Sequence, residues 1–561
     1  MTASYEGQGR ECYDWYHYLW HLIAIRAVKA AAPAPADGKY DIEPDAWAKL
    51  NLAAGVLPGA GEVIALIDTG VSDRHPNLAG RILPAVDFAA HPYGMTFADK
   101  AAPGPITVPV NFNAPNNDTE DNALAKIDKT MTRGLEAVLK ASLIGDVKWT
   151  AAKAVAATKG PPPPTPFSTP AAMLAVLARL SAGRGVKCSL ASAARHRYSA
   201  HGTACAGLMV GAPPAPPAAD APPKLAGVVD PIDGVAPTLC VEDAEPNAGP
   251  IPYWGVAPGA KVLPIIVSAE PTAEQLIFAF LYAWEKGASV IHFPREAPDP
   301  SRAPWSKKGY GGTRYESDKA AWDLFFLLLH DISERIPVVC AAGNDGVDRL
   351  IYPAVEADGA NGIVAVGAVC YTARRASYSN YAAAGGAQRV TIAAPSDDAE
   401  VYTRHQMRLD RESPAWREHN HFVHAKQVGV EWVEYAPQAL LTTDIPGPGG
   451  YANGQFDALE PDIHPANDRP ALYAQFGGTS GASAIVAGAV ALRQSQALEK
   501  MGARRTGIQI KAELVSSGAL AVNWPWLPPA TPLVPDTPNG EAAITPGAQF
   551  GAGVLDLDKL L

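Results

Sequence analysis

Cysteine is scarce: six residues in 561, Cys12, Cys188, Cys205, Cys240, Cys340 and Cys370, none in a CxxC pair. Such spacing excludes a zinc ribbon and a dense disulfide framework, and it fits a reducing compartment. Charge is sparse as well, at 18% of residues, and 46 basic against 57 acidic side chains leave a net charge of −11. Without a basic surplus there is no electrostatic footprint for nucleic acid. Long apolar runs are missing too. Tyr13 to Ala32 is aromatic-rich and reads as a helix, but Asp14, His17, His21, Arg26 and Lys29 interrupt it. No stretch of about 18 uncharged apolar residues exists to cross a bilayer, so no membrane association is expected. Met1 to Glu11 is polar and lacks the basic start and apolar core of a secretion signal, which points to a cytoplasmic location.

Hydrophobic residues make up 48% of the chain, enough for a sizeable core, while 52 Pro and 50 Gly imply extensive loops. Five short runs are largely apolar on both faces: Val63–Ile67, Lys261–Val267, Ala288–Phe293, Pro337–Ala341 and Gly362–Val369. Strands buried on both faces look like this, and helix-length segments such as 273–286 and 320–335 separate several of them. The fold class expected is α/β: an open, mostly parallel sheet with helices on both faces. Residues 1–40 divide into the N-terminal helical segment and an Ala/Pro linker at 31–36, and 41–561 form one large domain. Two regions interrupt its pattern and read as insertions, at about 95–198 and 397–438. The first holds an expected helix pair around 119–158, the Pro run at 160–166 and a further helix at 170–182.

Four places carry chemistry. Asp68-Thr69-Gly70 follows the first strand, at the sheet end where ligands collect in open parallel sheets. An Asp there also serves as a turn former. His201–Gly207 opens a small-residue helix with an imidazole, Cys340–Gly346 runs a strand into the Gly-flanked Asn344, and Phe476–Ala484 sets Ser480 at a helix start. A serine at that point is commonly an N-cap, yet the free N–H groups beside it also suit a developing oxyanion. Together they supply a carboxylate, a base, an amide donor and a nucleophile, in the order Asp, His, Asn, Ser.

In that order and setting, the chain resembles the subtilisin-like serine proteases, the subtilases. The similarity extends to Val71–Leu78, Trp254–Leu263, Tyr352–Ala354, Ile363–Val369, Arg375–Asn380, Ile392–Pro395 and Phe550–Leu557. It covers roughly 41–561, with gaps chiefly at the two insertions. The resemblance implies a subtilisin-like fold and a serine endopeptidase acting on protein or peptide substrates through an acyl-enzyme. Ser480 would be the nucleophile, His201 the general base and acid, and Asp68 the residue that orients His201. Asn344 and the Ser480 backbone N–H would form the oxyanion hole. The layout, with little before the first strand, is closest to intracellular members without a large pro-domain, and residues 1–40 either cover the cleft or pack on the back of the domain.

Several departures matter. Where the family has a small residue, Leu and Gly in its substrate-binding strand, this chain has Pro294-Arg295-Glu296 after Phe293. Pro294 has no N–H for pairing with a substrate backbone. Phe293, Pro294, Arg295, Glu296 and Gly343 are the candidate substrate-binding residues, and the charges either narrow specificity or sit on a re-routed loop. Ala484 replaces the usual Pro after the nucleophile. Cys205 lies four residues after His201, on the same helical face. His419, His421 and His424 form a weak metal pattern, and no metal ligand set is assigned. Asn116–Asp121 offers oxygen ligands without a matching calcium loop, so no cofactor is required and structural calcium stays open. Two other function classes compete: a catalytically silent or gated subtilase-like scaffold that binds peptides, and an α/β-hydrolase esterase built on Gly478–Ala482. The esterase fails on order, since no histidine follows Ser480.

Overall fold

A computed structural model of the chain describes residues 19–30, 42–50, 52–73, 75–87, 95–97, 186–188, 200–214, 253–267, 271, 273–297, 325–383, 389–397, 440–447, 471–535 and 545–561. The helices expected at 119–158 and 170–182, the acidic loop at 116–121 and the three histidines at 419–424 lie outside them. The described strands are β1 (Val28–Ala30), β2 (Ile42–Pro44), β3 (Val63–Asp68), β4 (Val86–Asp87), β5 (Met95–Phe97), β6 (Val186–Cys188), β7 (Lys261–Ile266), β8 (Val290–Phe293), β9 (Val338–Ala341), β10 (Ile363–Val369), β11 (Ile392–Pro395), β12 (Leu440–Gly447), β13 (Ala471–Phe476), β14 (Ala521–Val522) and β15 (Thr531–Pro532).

Seven of them form one sheet in the order β11-β10-β9-β8-β3-β7-β4, and every pairing in it is parallel. Both faces are covered, which is why the strands read as unbroken apolar runs. Along β3 the side chains alternate between two cores: Ile64 and Leu66 enter one, Ala65 and Ile67 the other. The first core holds helix α2 (Ala200–Val210), which follows α1 (Trp20–Ala24) in chain order. The second holds α3 (Ala273–Glu285) and the helical residues 325–335. Helix α4 (Gly478–Met501) returns to the first face and packs along α2. β5 and β6 pair antiparallel, bringing together the described ends of the first insertion.

One expectation needs correction. The helix read across Tyr13 to Ala32 is, in its described part, only the five-residue α1. Arg26 turns the chain with a left-handed φ of 64°, and β1 then pairs with β2. Tertiary contacts override the helical pattern there: Arg26 reaches Asp45, Asp556 and Asp558, and the Leu557 N–H donates to the Ile25 carbonyl. Trp20 is fully buried among Tyr371, Trp524 and Trp526, with edge-on rings 5.2 to 6.2 Å away. None of these contacts involves Asp68, His201 or Ser480.

Candidate active site

β3 runs between β7 and β8 and ends at Asp68, beside the position where the chain crosses from one side of the sheet to the other. Its carboxylate is 1% exposed. Oδ1 accepts from the Thr69 N–H at 2.6 Å, and Oδ2 accepts from His201 Nδ1–H, also at 2.6 Å. Binding Nδ1–H leaves the lone pair on Nε2, the tautomer a general base needs. Burial opposes a charge on Asp68, but His201, Arg295 and the Thr69 N–H outweigh it and hold its pKa well below the ordinary carboxylate range. His201 reaches this place because α2 begins almost on top of the Asp68–Gly70 turn. A Cβ on Gly202 would stand 2.0 Å from the Gly70 carbonyl oxygen, so only glycine permits the approach. The Ser72 N–H, donating to Thr203 Oγ1 at 2.8 Å, ties the same two segments together.

Ser480 lies in the first turn of the 24-residue α4, 7% exposed. No helical carbonyl precedes its N–H, and the helix dipole there favours negative charge. The turn into the helix needs Gly478 at φ 71°. Asn344, just beyond β9, has its Oδ1 fixed by the Thr479 N–H and hydroxyl, each at 2.8 Å, while the Gly343 N–H donates to Thr479 Oγ1 at 3.1 Å. Pinned by its oxygen, the amide presents Nδ2 on the side of Gly478. The Ser480 hydroxyl donates to the Pro294 carbonyl at 3.1 Å, and among the described residues no hydrogen bond joins it to His201.

The candidate substrate-binding residues lie at the end of β8, just after it and beyond β9. Phe293 belongs to the α3-side core, its ring 6.3 Å from Phe280. Pro294 is buried, Glu296 is exposed, and Gly343 is buried at φ 112°. Arg295 turns inward, Nη1 lying 3.4 Å from Asp68 Oδ1 with the side chain 17% exposed. Cys205 is buried beside Asp68 and His201, the three offering ligand atoms within 4.8 Å of one another. Burial first, then the Asp68 charge, push its thiol pKa up, which keeps it protonated and a poor metal ligand.

Two further histidines are buried, and one of them braces the site. His292 on β8 donates from Nε2 to Ser483 Oγ at 2.9 Å, and Ser483 donates to the Ser480 carbonyl at 2.9 Å. His75 accepts from the Asn77 N–H on Nδ1 at 3.1 Å and donates from Nε2 to the Leu472 carbonyl at 2.6 Å. Burial lowers their pKa values, to about 3 for His292 and about 4 for His75. Both are neutral when folded and take up a proton on unfolding below 6.5, so stability is complete above that pH and falls as acidification proceeds towards the folded values. Each contributes a loss of about 1.4 kcal/mol per pH unit in that window. Urea midpoints should therefore drop between pH 6.5 and 4, less steeply in His75→Gln; equal midpoints across the window would refute the assignment.

The structure thus brings Asp68, His201, Asn344, Ser480, Pro294 and Arg295 together and sets Phe293 apart. Sequence reasoning missed Thr479 as the anchor of Asn344, although its place beside Ser480 was a signal. It missed Ser483 and His292, which only tertiary pairing reveals. It also missed Asp397, which accepts from Tyr378 Oη–H at 2.6 Å and from the Gly478 N–H at 3.2 Å and so braces the turn before Ser480.

The family model described as the subtilase family matches residues 59–523. No curated protein matches the chain. Among solved structures, a mutant of the protease domain of PatA is 14% identical, with 91% of this chain and 96% of that one covered at a TM-score of 0.39. The prenylagaramide maturation protease PagA is 14% identical, covering 92% and 98% at 0.39. The epidermin leader peptide processing serine protease EpiP from Staphylococcus aureus is 17% identical, covering 90% and 75% at 0.41. The span matched by the family model is most of the chain and contains Asp68, His201, Asn344 and Ser480; the chain belongs to the subtilase family.

Proposed function

We propose that this subtilisin-like serine protease is an endopeptidase that hydrolyses protein substrates through an acyl-enzyme formed on Ser480. The reading rests above all on the 2.6 Å bond from His201 Nδ1 to the buried Asp68, beside a serine in the first turn of a long helix. Ser480 Oγ attacks the peptide carbonyl as His201 Nε2 takes its proton. Asp68 stays ionised and stabilises the imidazolium. Asn344 Nδ2 and the Ser480 N–H receive the oxyanion, a reading supported by the fixed Asn344 amide oxygen and the first-turn position of Ser480. When the C–N bond breaks, His201 returns the proton to the leaving amine, and water repeats the sequence on the ester. No step calls for a cofactor. To begin, the Ser480 hydroxyl leaves the Pro294 carbonyl.

That contact with Pro294 favours a second reading, in which the site is gated or catalytically silent and the cleft binds peptides. Residues 41–561 act in either case as one domain with insertions at about 95–198 and 397–438. Among the described residues no helix is long and apolar enough to cross a membrane. The buried thiols of Cys205 and Cys340, unbridged among the described residues, support action in the cytoplasm. Incubation with an unfolded protein, followed by mapping of new termini, is expected to show cleavage that disappears in Ser480→Ala. Intact substrate alongside saturable peptide binding would favour the second reading.

A further inference from the structure

Arg295 has a place in the site that neither the order of the triad nor the chemistry of acyl transfer demands. It follows β8, the neighbour of β3, so its backbone passes the end of Asp68; the turn at Pro294 puts one carbonyl on Ser480 Oγ and the next side chain on Asp68 Oδ1. Asp68 is therefore shared: Oδ2 serves His201 at 2.6 Å, and Oδ1 faces the guanidinium at 3.4 Å. A guanidinium keeps its charge throughout the working pH range. We propose that Arg295 is a positioning residue that offsets part of the Asp68 charge and thereby sets the lower pH limit of the reaction.

The physical argument is a balance of charges around the imidazole. When Ser480 gives up its proton, positive charge appears on His201. Asp68 on β3 favours that charge and Arg295 opposes it, both in surroundings that screen poorly because Asp68 is 1% and Arg295 17% exposed. The other described titratable groups near His201 are neutral: His292 on β8, whose pKa burial lowers to about 3, and Cys205 on α2, whose thiol burial holds protonated. Among the described residues, β13 contributes the uncharged ring of Phe476, 5.5 Å away, and α4 carries the Ser480 hydroxyl. Arg295 is thus the fixed positive charge at this position among the described residues. Without it Asp68 acts undiluted, the imidazolium forms more readily, and activity is lost to protonation at a higher pH.

The inference rests on the catalytic reading above, and its test keeps the two apart. The rate of Ser480 modification by a fluorophosphonate, a probe too small to need the substrate-binding strand, is followed against pH for the unaltered protein, Arg295→Lys, Arg295→Met and Arg295→Gln. Arg295→Lys should keep the acid limb in place, while Arg295→Met and Arg295→Gln should move it up by about one pH unit. A merely structural Arg295 would lower the plateau and leave the limb where it is, and that result overturns the proposal. The same comparison is made without catalysis by titrating the His201 Cε1 resonance in a Ser480→Ala background, assigned by its loss in His201→Gln. If no variant is labelled at any pH, the peptidase reading fails, and the resonance still decides whether Arg295 moves the titration.

Discussion

Replacing Ser480 with alanine is expected to lower turnover about 10⁶-fold, and His201→Ala should cost about as much. The pair should not add: Ser480→Ala/His201→Ala should be no worse than either single variant. Each residue has value only through the other, since the hydroxyl is a weak nucleophile until the imidazole takes its proton. Asp68→Asn keeps the shape of the pair but removes the acceptor that fixes the His201 tautomer, and it should cost about 10⁴-fold. Turnover measured on one peptide for all four variants checks the account. Losses that multiply in the double variant would mean that Ser480 and His201 act independently, and the triad would be wrong.

Asn344→Ala should lower turnover by about 10²- to 10³-fold and leave KM close to its original value. The expectation follows from how the amide is held. Its oxygen is committed to Thr479 by two hydrogen bonds, which leaves Nδ2 on the side of Gly478 and free to serve the oxyanion in the proposed mechanism. A donor that acts only on the tetrahedral intermediate contributes to turnover and not to ground-state binding. Thr479→Val loosens the amide without removing it, and a smaller loss of the same kind is expected. An unchanged turnover rate in Asn344→Ala would take this residue out of the oxyanion hole.

Much of the fold was legible because both faces of the sheet are covered. Residues 63–67 and 363–369 are apolar at every position, which is what strands between two cores require. Asp68, His201 and Ser480 were legible for a related reason. Each sits beside a glycine the packing needs: Gly70 turns at φ 122°, Gly202 lies against the Gly70 carbonyl, and Gly481 leaves room for the Leu440 side chain. Where local pattern and tertiary contact disagree, the pattern fails. The helical periodicity around Trp20 continues past Ile25, but the chain turns at Arg26 because three carboxylates from distant segments meet its guanidinium. β4 spans only Val86–Asp87, too short for any periodicity to register. Arg295 was the least legible of the site residues. Its sequence position left open a charge beside a substrate pocket or a re-routed loop, and the contact it makes is with Asp68, 227 positions earlier in the chain.

The central claim is that Ser480 is a nucleophile activated by the Asp68–His201 pair. It is tested most directly by treating the purified, folded chain with a fluorophosphonate probe and mapping the modified peptide, with Ser480→Ala and His201→Ala as controls. The account predicts one adduct, on Ser480, absent from the first control and strongly slowed in the second. A folded protein that takes no label, or takes it on another residue, would contradict it.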